Sequence, residues 1–151
     1  MTWASLTKNG GHPGNTHELA VVRRFSAPAA GNYRVEGELR HKSKNGDGVL
    51  GLVVVDGKAV ADWLVKHGDT KTTADGIRLQ TGQTIDFVVD NNGDSNSDSF
   101  EWSPTVVAVD AGRVWSAESG FSGPITHLEP LGVWDRLAQA LLLSNEFAFT
   151  D

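Results

Sequence analysis

The stretch VLGLVVVDGKAVADWLVK, residues 49–66, decides the fold class. Its first part is a continuous apolar run, which is typical of a strand in the middle of a sheet. Asp56 and Gly57 follow, and this dipeptide is a strong signal for a two-residue β-hairpin. KAVADWLVK is then the returning strand. Residues 49–66 therefore predict two antiparallel strands joined by a tight turn.

Short strands separated by turns continue on both sides of this hairpin. Upstream, ELAVVRRF and NYRVEGELRH are predicted strands joined by the turn APAAG. Downstream, the predicted strands are GIRLQ, QTIDFVVD and FEWSPTVVAVD, with a tight turn at Thr81-Gly82. This pattern predicts an all-β protein, a jelly-roll-like antiparallel β-sandwich over residues 12–110. A β-barrel is the alternative.

The C-terminal part of the chain has a different pattern. Residues 111–131 lack a strand or helix period and are predicted to form an irregular connection. In the segment GVWDRLAQALLLSNEF, apolar residues then recur at helical spacing. They are Trp134, Leu137, Ala138, Leu141 and Leu142. We therefore predict a C-terminal amphipathic helix over residues 132–147.

Composition limits the classes of function. The chain of 151 residues has a net charge of −6, which argues against non-specific nucleic-acid binding but permits cations and neutral ligands. It has no cysteine, so disulfides and thiolate chemistry are excluded. The N-terminus has no apolar signal-peptide region, and no apolar run reaches the length of a membrane span. We expect no nucleic-acid partner and no membrane partner.

The lengths of the connections predict where a site lies. Successive strands of an antiparallel sandwich reverse direction, so their connections alternate between two ends. The short turns then fall at one end, and the long polar segments fall at the other. Those segments are GHPGNTH, KSKNGDG, HGDTKTT and DNNGDSNSDS. Loops at one end of a rigid sandwich often carry binding residues, although long loops are polar in most proteins.

Calcium is the first candidate ligand at this end. Residues 90–101 match the oxygen-ligand spacing of an EF-hand loop. The positions concerned are Asp90, Asn92, Asp94, Asn96, Asp98 and Glu101. Ser95 replaces the glycine of the sharp turn, however, and the flanks are predicted strands rather than helices. Ca²⁺ is the candidate cofactor of this loop, but the residues favour a solvated turn rich in Asp and Asn. Alternatively, Asp47 of the neighbouring loop shares a cation.

Sugar binding is the second candidate chemistry. Sugars require aromatic faces for their C–H surfaces and fixed polar partners for their hydroxyls. The predicted ligand-binding residues are Asn45, Asp47, Asn96, Asp98, Trp102, His41, Lys42, Lys44 and Trp63. Core packing is the alternative role for both tryptophans. His41 and His67 lack the spacing of a zinc motif, and the chain has no nucleophile elbow and no HExxH, so we expect no enzyme.

Two long segments resemble a known kind of domain. Residues 12–49 and 81–106, including GDG at 46–48 and NSDSFEW at 96–102, together resemble a carbohydrate-binding-module-like domain. Such domains lie near the C-terminus of large secreted planctomycete-type proteins that often begin with a cytochrome c domain, and WDRLAQALLLSNEFAFTD resembles their closing helix. The resemblance implies a jelly-roll sandwich, a secreted or periplasmic location and polysaccharide binding. The chain has no CxxCH, so any cytochrome function lies outside it.

These observations predict a non-catalytic carbohydrate-binding module. It would bind a polysaccharide or oligosaccharide through the long loops, with a structural Ca²⁺, and a concave sheet face is the second candidate location. The alternative is a structural or docking module that binds the upstream domains of a larger secreted polysaccharide-degrading or redox protein. A third hypothesis is a lyase or hydrolase that uses loop carboxylates.

Removal of all residues after Pro130 is expected to leave the sandwich folded. The apolar face of the predicted helix would normally pack on a larger upstream domain, so the strands should not depend on it. Far-ultraviolet circular dichroism of the truncated chain should retain its β-type signal. Loss of that signal would contradict the predicted independence of the sandwich.

Overall fold

The computed structural model describes residues 3–121, so the predicted helix over residues 132–147 lies outside the described part. These residues form an all-β structure of three antiparallel sheets with two short 3-10 helices, His17–Leu19 and Ala117–Ser119. The strands are β1 Ser5–Leu6, β2 Gly10–His12, β3 Val21–Ser26, β4 Gly31–Glu36, β5 Glu38–His41, β6 Val49–Val55, β7 Lys58–Val65, β8 Gly68–Lys71, β9 Ala74–Leu79, β10 Thr84–Asn91, β11 Phe100–Trp102, β12 Thr105–Ala108 and β13 Arg113–Ser116. Within residues 3–121, no helix has the length and apolar character needed to cross a membrane.

One layer of the structure is a four-stranded sheet in the order β3-β10-β6-β7, here called the flat sheet. The hairpin predicted over residues 49–66 forms β6 and β7, which pair from Val49↔Val65 to Val55↔Lys58 around Asp56 and Gly57. The apolar strand β6 lies between β10 and β7, as its uninterrupted hydrophobicity predicted. The sequence therefore identified both the hairpin and its inner strand.

The second layer is a bent sheet made of two halves, β1-β2-β11-β5-β8 and β13-β12-β4-β9. The chain passes from one half to the other at three places. These are Gly37 between β4 and β5, residues 72–73 between β8 and β9, and residues 103–104 between β11 and β12. In one half β5 lies between β11 and β8, and in the other half β4 lies between β12 and β9. Since β4 leads into β5, β8 into β9 and β11 into β12, the two halves form one continuous layer. The confirmed architecture is an antiparallel β-sandwich, and its sheets have edges, unlike a closed barrel.

A glycine allows the two layers to approach closely. A Cβ at Gly51 of β6 would lie 2.5 Å from Leu39 Cδ2 of β5 and 3.6 Å from the Trp102 ring of β11. The indole of Trp102 also packs edge-to-face on Phe87 of β10, with ring centroids 5.6 Å apart. Its Nε1–H donates a hydrogen bond of 2.9 Å to Thr72 Oγ1, so the buried polar atom is satisfied. Trp102 is thus a central core residue that joins the layers.

The short turns meet at one end of the sandwich, as predicted. The backbone N–H of Gly82 donates to the carbonyl of Ala27 over 2.8 Å, and the side chain of Gln83 bonds to Asp56. The turn between β3 and β4 therefore lies beside the turn between β9 and β10. The aromatic cluster of the core, which comprises Phe25, Tyr33, Trp115 and Phe121, fills the sandwich near the start of β4.

The loops of residues 13–20, 42–48 and 92–99 meet at the opposite end. Asn91 Nδ2 donates to the carbonyl of Gly14 over 3.2 Å, and the N–H of Asp94 donates to Asp47 Oδ2 over 3.2 Å. This confirms the predicted grouping of three long segments, and we call their meeting place the loop end.

Other sequence predictions need correction. HGDTKTT is not a loop, because Gly68–Lys71 forms β8 and supplies backbone partners to the edge of β5. The β structure also extends beyond residues 12–110, through β1 at the start and β13 at the end. Arg113–Ser116 was predicted to lie in the irregular connection, but it forms a strand. The strand pairs with the edge of β12, and its Trp115 packs into the aromatic cluster.

Replacement of Thr72 by valine should destabilise the fold while keeping its shape. The change leaves the buried Trp102 N–H without its acceptor, which costs about 1–3 kcal/mol of unfolding free energy. Thr73→Val, at an exposed neighbouring position, is the matched control and should change stability by less than about 0.5 kcal/mol. Equal urea midpoints for the two variants would show that the Trp102 hydrogen bond contributes nothing.

Candidate functional site

The N-terminal strands are attached to the sandwich by one arginine and one strand pair. The Arg23 guanidinium donates to the carbonyls of Thr7 over 2.7 Å, Lys8 over 3.0 Å and Ala117 over 3.0 Å. Strand β2 pairs with β11 through Gly11↔Phe100. The first residues of the described chain are therefore held beside the loop of residues 92–99.

This arrangement forms a cleft of about 300 Å³ at the loop end. Its lining residues are Trp3, His12, Asn15, Asp94, Ser95, Asn96 and Ser97. The indole of Trp3 is 57% exposed and stacks on the imidazole of His12, with centroids 4.3 Å apart and an angle of 25° between the rings. His12 is buried, and its Nδ1–H donates to the carbonyl of Pro13 over 2.7 Å. The imidazole is thus a fixed support beneath an exposed aromatic ring.

Trp3 was not among the predicted site residues, because no strand was predicted before residue 12. One signal was available: Asn9-Gly10 is a turn dipeptide, and the chain reverses there between β1 and β2. The N–H of Thr7 donates to the carbonyl of Gly10 over 2.8 Å across this turn. The hairpin places Trp3 on the same side of the molecule as His12.

The loops of residues 42–48 and 92–99 are joined through Asp47. Besides the bond from the Asp94 N–H to its Oδ2, the carbonyl of Asp47 accepts from Asn92 Nδ2 over 3.2 Å. Gly46, at φ +88°, lies against the opposite loop. A Cβ on Gly46 would stand 2.5 Å from the Asn96 carbonyl oxygen and 2.9 Å from Asp98 Oδ1. Only glycine fits this position without displacing the facing oxygens.

His41 is a buried histidine whose two ring nitrogens are both used. The backbone N–H of His67 donates to Nδ1 over 3.2 Å, so Nδ1 carries a lone pair. Nε2 must then carry the proton, and it donates to the carbonyl of Ser97 over 3.0 Å. Both ring nitrogens are therefore engaged by backbone groups. Nε2 also lies 3.4 Å from Asp98 Oδ1, in a contact that lacks hydrogen-bond geometry.

Asp98 is fully buried beside this histidine. Among residues 3–121, neither of its carboxylate oxygens has a hydrogen-bond partner, and the same holds for the buried Oδ1 of Asp47. Burial raises the pKa of the Asp98 carboxyl above its usual value and the negative charge of Asp47 raises it further, whereas the interactions with His41 and His12 lower it. The buried carboxylate of Asp98 therefore lacks hydrogen-bond donors among the described residues.

The ligand set predicted for calcium does not converge in the structure. Asp90 Oδ2 pairs with His17 Nδ1, while Glu101 lies exposed on β11 and its Oε1 accepts from Lys42 Nζ over 2.6 Å. Within the described residues, no three His, Asp or Glu side chains are grouped as metal ligands. The physical reason is that strands β10 and β11 extend into residues 90–101, which holds Asp90 and Glu101 apart from Asp98. The predicted ligand set of residues 90–101 therefore does not form one metal site among the described residues.

Several residues predicted to bind sugar are placed elsewhere. Trp102 is 3% exposed, Trp63 lies on the core-facing side of β7 with its ring 6.4 Å from Trp102, and His41 is buried. Their rings belong to the interior, so their prediction as sugar contacts is corrected.

The remaining predicted sugar-binding residues lie on the loops. Lys42 lines a separate shallow cleft with Arg40 and Asp69, whereas Lys44 and Asn45 are exposed on the loop of residues 42–48. Asn96 lines the Trp3 cleft itself, and Asp47 and Asp98 lie among the loops that bound it.

Comparisons with known proteins add no assignment. No protein-family model matches the chain, and a search of curated proteins finds no similar sequence. The resemblance of residues 12–49 and 81–106 to a carbohydrate-binding-module-like domain therefore stays a prediction.

The contact between His17 and Asp90 predicts a measurable shift in the pKa of His17. The hydrogen bond to Asp90, followed by its negative charge, raises the pKa of His17 above 6.5. Stabilisation from this pair should be complete below the unfolded value of about 6.5 and should disappear as the pH rises through the folded value. An NMR titration should show the raised pKa, and Asp90→Asn should return it to about 6.5. Asp86→Asn on the same strand is the control, and an equal shift in both variants would contradict the pairing.

Proposed function

We propose that the protein is a non-catalytic carbohydrate-binding module and that its sugar site is the cleft beside Trp3. The observation that carries this proposal is the exposed indole of Trp3, stacked on His12 and surrounded by polar loop residues. Tryptophan side chains are highly buried on average in folded proteins. The exposure of Trp3 therefore does not fit a role in core packing. Its free face is the aromatic surface that sugar binding requires.

The polar lining of the cleft complements the aromatic face. Asn15 and Asn96 offer amide donors and acceptors for sugar hydroxyls, and Asp94 offers a carboxylate acceptor. The cleft volume of about 300 Å³ is at the lower end of the range for ligand sites. The negative charge of Asp94 in the cleft would repel sulfates and uronates, so we expect a neutral sugar chain to bind there.

The proposal is non-catalytic for a chemical reason. Glycoside hydrolysis typically uses a pair of carboxyl groups on either side of the scissile bond. Asp94 is the one carboxylate among the described residues that line the cleft. Asp98 is buried behind the lining and does not face the cleft volume. These positions favour binding over hydrolysis.

The wider setting is part of the same proposal. We expect a jelly-roll-like topology and a secreted or periplasmic parent protein whose upstream domains are physical partners of this chain. The support is the resemblance of the sequence segments together with the two-layered antiparallel sandwich. Binding to a polysaccharide would then hold the parent protein near its substrate or at a surface.

A docking function is the second candidate, and it has an observation of its own. The outward face of the flat sheet carries exposed apolar side chains, among them Val22 on β3 and Leu64 on β7. Val60, next to the irregularity in the pairing of β6 and β7, is also exposed. Such a face would suit contact with another domain of a larger protein.

Affinity electrophoresis on a panel of neutral and acidic polysaccharides tests the proposed sugar site. The chain should be retarded by at least one neutral glycan, and Trp3→Ala should weaken binding at least about tenfold, because buried aromatic contacts commonly contribute more than 1.4 kcal/mol. Leu64→Ala, which removes an exposed apolar side chain from the flat sheet, is the control and should bind normally.

Three results would count against this assignment. No retardation on any glycan would favour the docking function, and turnover of a bound glycan would favour a lyase or hydrolase. Equal loss of binding in Trp3→Ala and Leu64→Ala would move the site away from the cleft.

A further inference from the structure

We propose that Ca²⁺ binds between the loops of residues 42–48 and 92–99, held by the carboxylates of Asp98 and Asp47 and by the backbone carbonyl of Asn96. This ligand set joins two separate loops and differs from the linear set of residues 90–101. It rests on the geometry of buried oxygen atoms and is independent of whether the protein binds sugar.

The first step is the burial of Asp98. An ionised carboxylate removed from water is strongly unfavourable unless hydrogen bonds or an opposite charge compensate it. Neither oxygen of Asp98 has a hydrogen-bond partner in the part of the chain that the structure describes. His41 Nε2 lies 3.4 Å from Asp98 Oδ1 but donates its hydrogen bond to the Ser97 carbonyl. A bound cation would supply the ligand that both carboxylate oxygens lack.

The second step is the convergence of oxygen atoms from both loops. Gly46 packs directly against two oxygens of the other loop, since a Cβ on it would stand 2.5 Å from the Asn96 carbonyl oxygen and 2.9 Å from Asp98 Oδ1. Those two oxygens therefore lie near each other and beside the backbone of Gly46. Asp47 follows Gly46 directly, and its buried Oδ1 lacks a hydrogen-bond partner among residues 3–121. The contact at Gly46 thus brings oxygens without partners from both loops into one region.

The third step concerns the kind of ion. Carboxylate and carbonyl oxygens are hard ligands, and Ca²⁺ takes six to eight of them in flexible geometry. Mg²⁺ requires a near-ideal octahedron at shorter distances, which two loops and few protein ligands supply poorly. Zn²⁺ prefers imidazole or thiolate ligands, but the chain has no cysteine and both nitrogens of His41 are engaged. Water from the adjacent cleft would complete the coordination of Ca²⁺.

The proposed ion also has a structural consequence. Asp94 and Asn96 line the Trp3 cleft, and both belong to the loop that the ion would hold against Asp47. Ca²⁺ would therefore fix one wall of the cleft. This consequence, unlike the site itself, rests on the proposed sugar-binding function.

Isothermal titration calorimetry on the full 151-residue chain tests the site directly. After treatment with EDTA and its removal, titration with CaCl₂ should give one ion per chain with a dissociation constant between about 10⁻⁶ and 10⁻³ M. MgCl₂ should bind at least about tenfold more weakly. The absence of Ca²⁺ binding, or a clear preference for ZnCl₂, would overturn the proposal.

Conservative variants locate the ion. Asp98→Asn and Asp47→Asn should each weaken Ca²⁺ binding by at least about tenfold, whereas Asp62→Asn on the exposed side of β7 should leave it unchanged. The melting temperature of the wild type should rise with CaCl₂ and fall back with EDTA, since a ligand that binds the folded state stabilises it. Ca²⁺ affinity that is the same in all four proteins would refute the assigned ligands.

The experiment also separates the ion from a proton. A neutral, protonated Asp98 would leave the wild type insensitive to CaCl₂, and Asp98→Asn would then melt at the same temperature as the wild type. Those two results together would show that a proton, and not Ca²⁺, neutralises the Asp98 carboxylate. Because the titration uses Ca²⁺ alone, its failure and the failure of glycan binding are distinguishable.

Discussion

The buried carboxylate of Asp98 is the constraint on which the loop end depends. It lies under the loop of residues 92–99, next to Asp47 and against Gly46, without a compensating hydrogen bond from the described residues. Polypeptide chains rarely bury such a group without a reason, because the loss of hydration is costly. The ring nitrogens of His41, the nearest imidazole, are both engaged by backbone groups of Ser97 and His67.

The sandwich provides the rigid base for this arrangement. Leu39 and Trp102 of the bent sheet pack on Gly51 of the flat sheet, and Thr72 satisfies the indole N–H. The strands that carry these residues lead directly into the loop end, so the positions of residues 42–48 and 92–99 follow from the core. Arg23 then holds the N-terminal hairpin through the carbonyls of Thr7 and Lys8, which brings Trp3 to the same end of the molecule.

The sequence predicted the fold better than the site. Continuous and alternating apolar patterns identified the hairpin of residues 49–66, the all-β class and the grouping of three long loops, because burial of strand faces leaves a period in the sequence. The strand Gly68–Lys71 has no such pattern, since an edge position supplies only backbone partners. The burial of Trp102 and the pairing of Glu101 with Lys42 depend on strand register, which no single segment encodes.

The candidate ligands show the same limit. Asp98 was predicted as part of the calcium loop of residues 90–101, and Asp47 of the neighbouring loop as an alternative cation ligand. The sequence shows spacing along one loop but not the contact between the two loops. Trp3 was not predicted as a site residue because its position beside the loops depends on the N-terminal hairpin. Arg23, which is distant in the sequence, holds that hairpin in place. Sites built from several loops need the tertiary structure to define their members.

The most direct test is a crystal structure of the full chain grown with CaCl₂, with anomalous data to identify the ion. The account predicts one Ca²⁺ with oxygen ligands from Asp98, Asp47 and the Asn96 carbonyl at about 2.3–2.6 Å. A well-ordered loop end that contains no ion, with the Asp98 carboxyl hydrogen-bonded as a neutral acid, would contradict it.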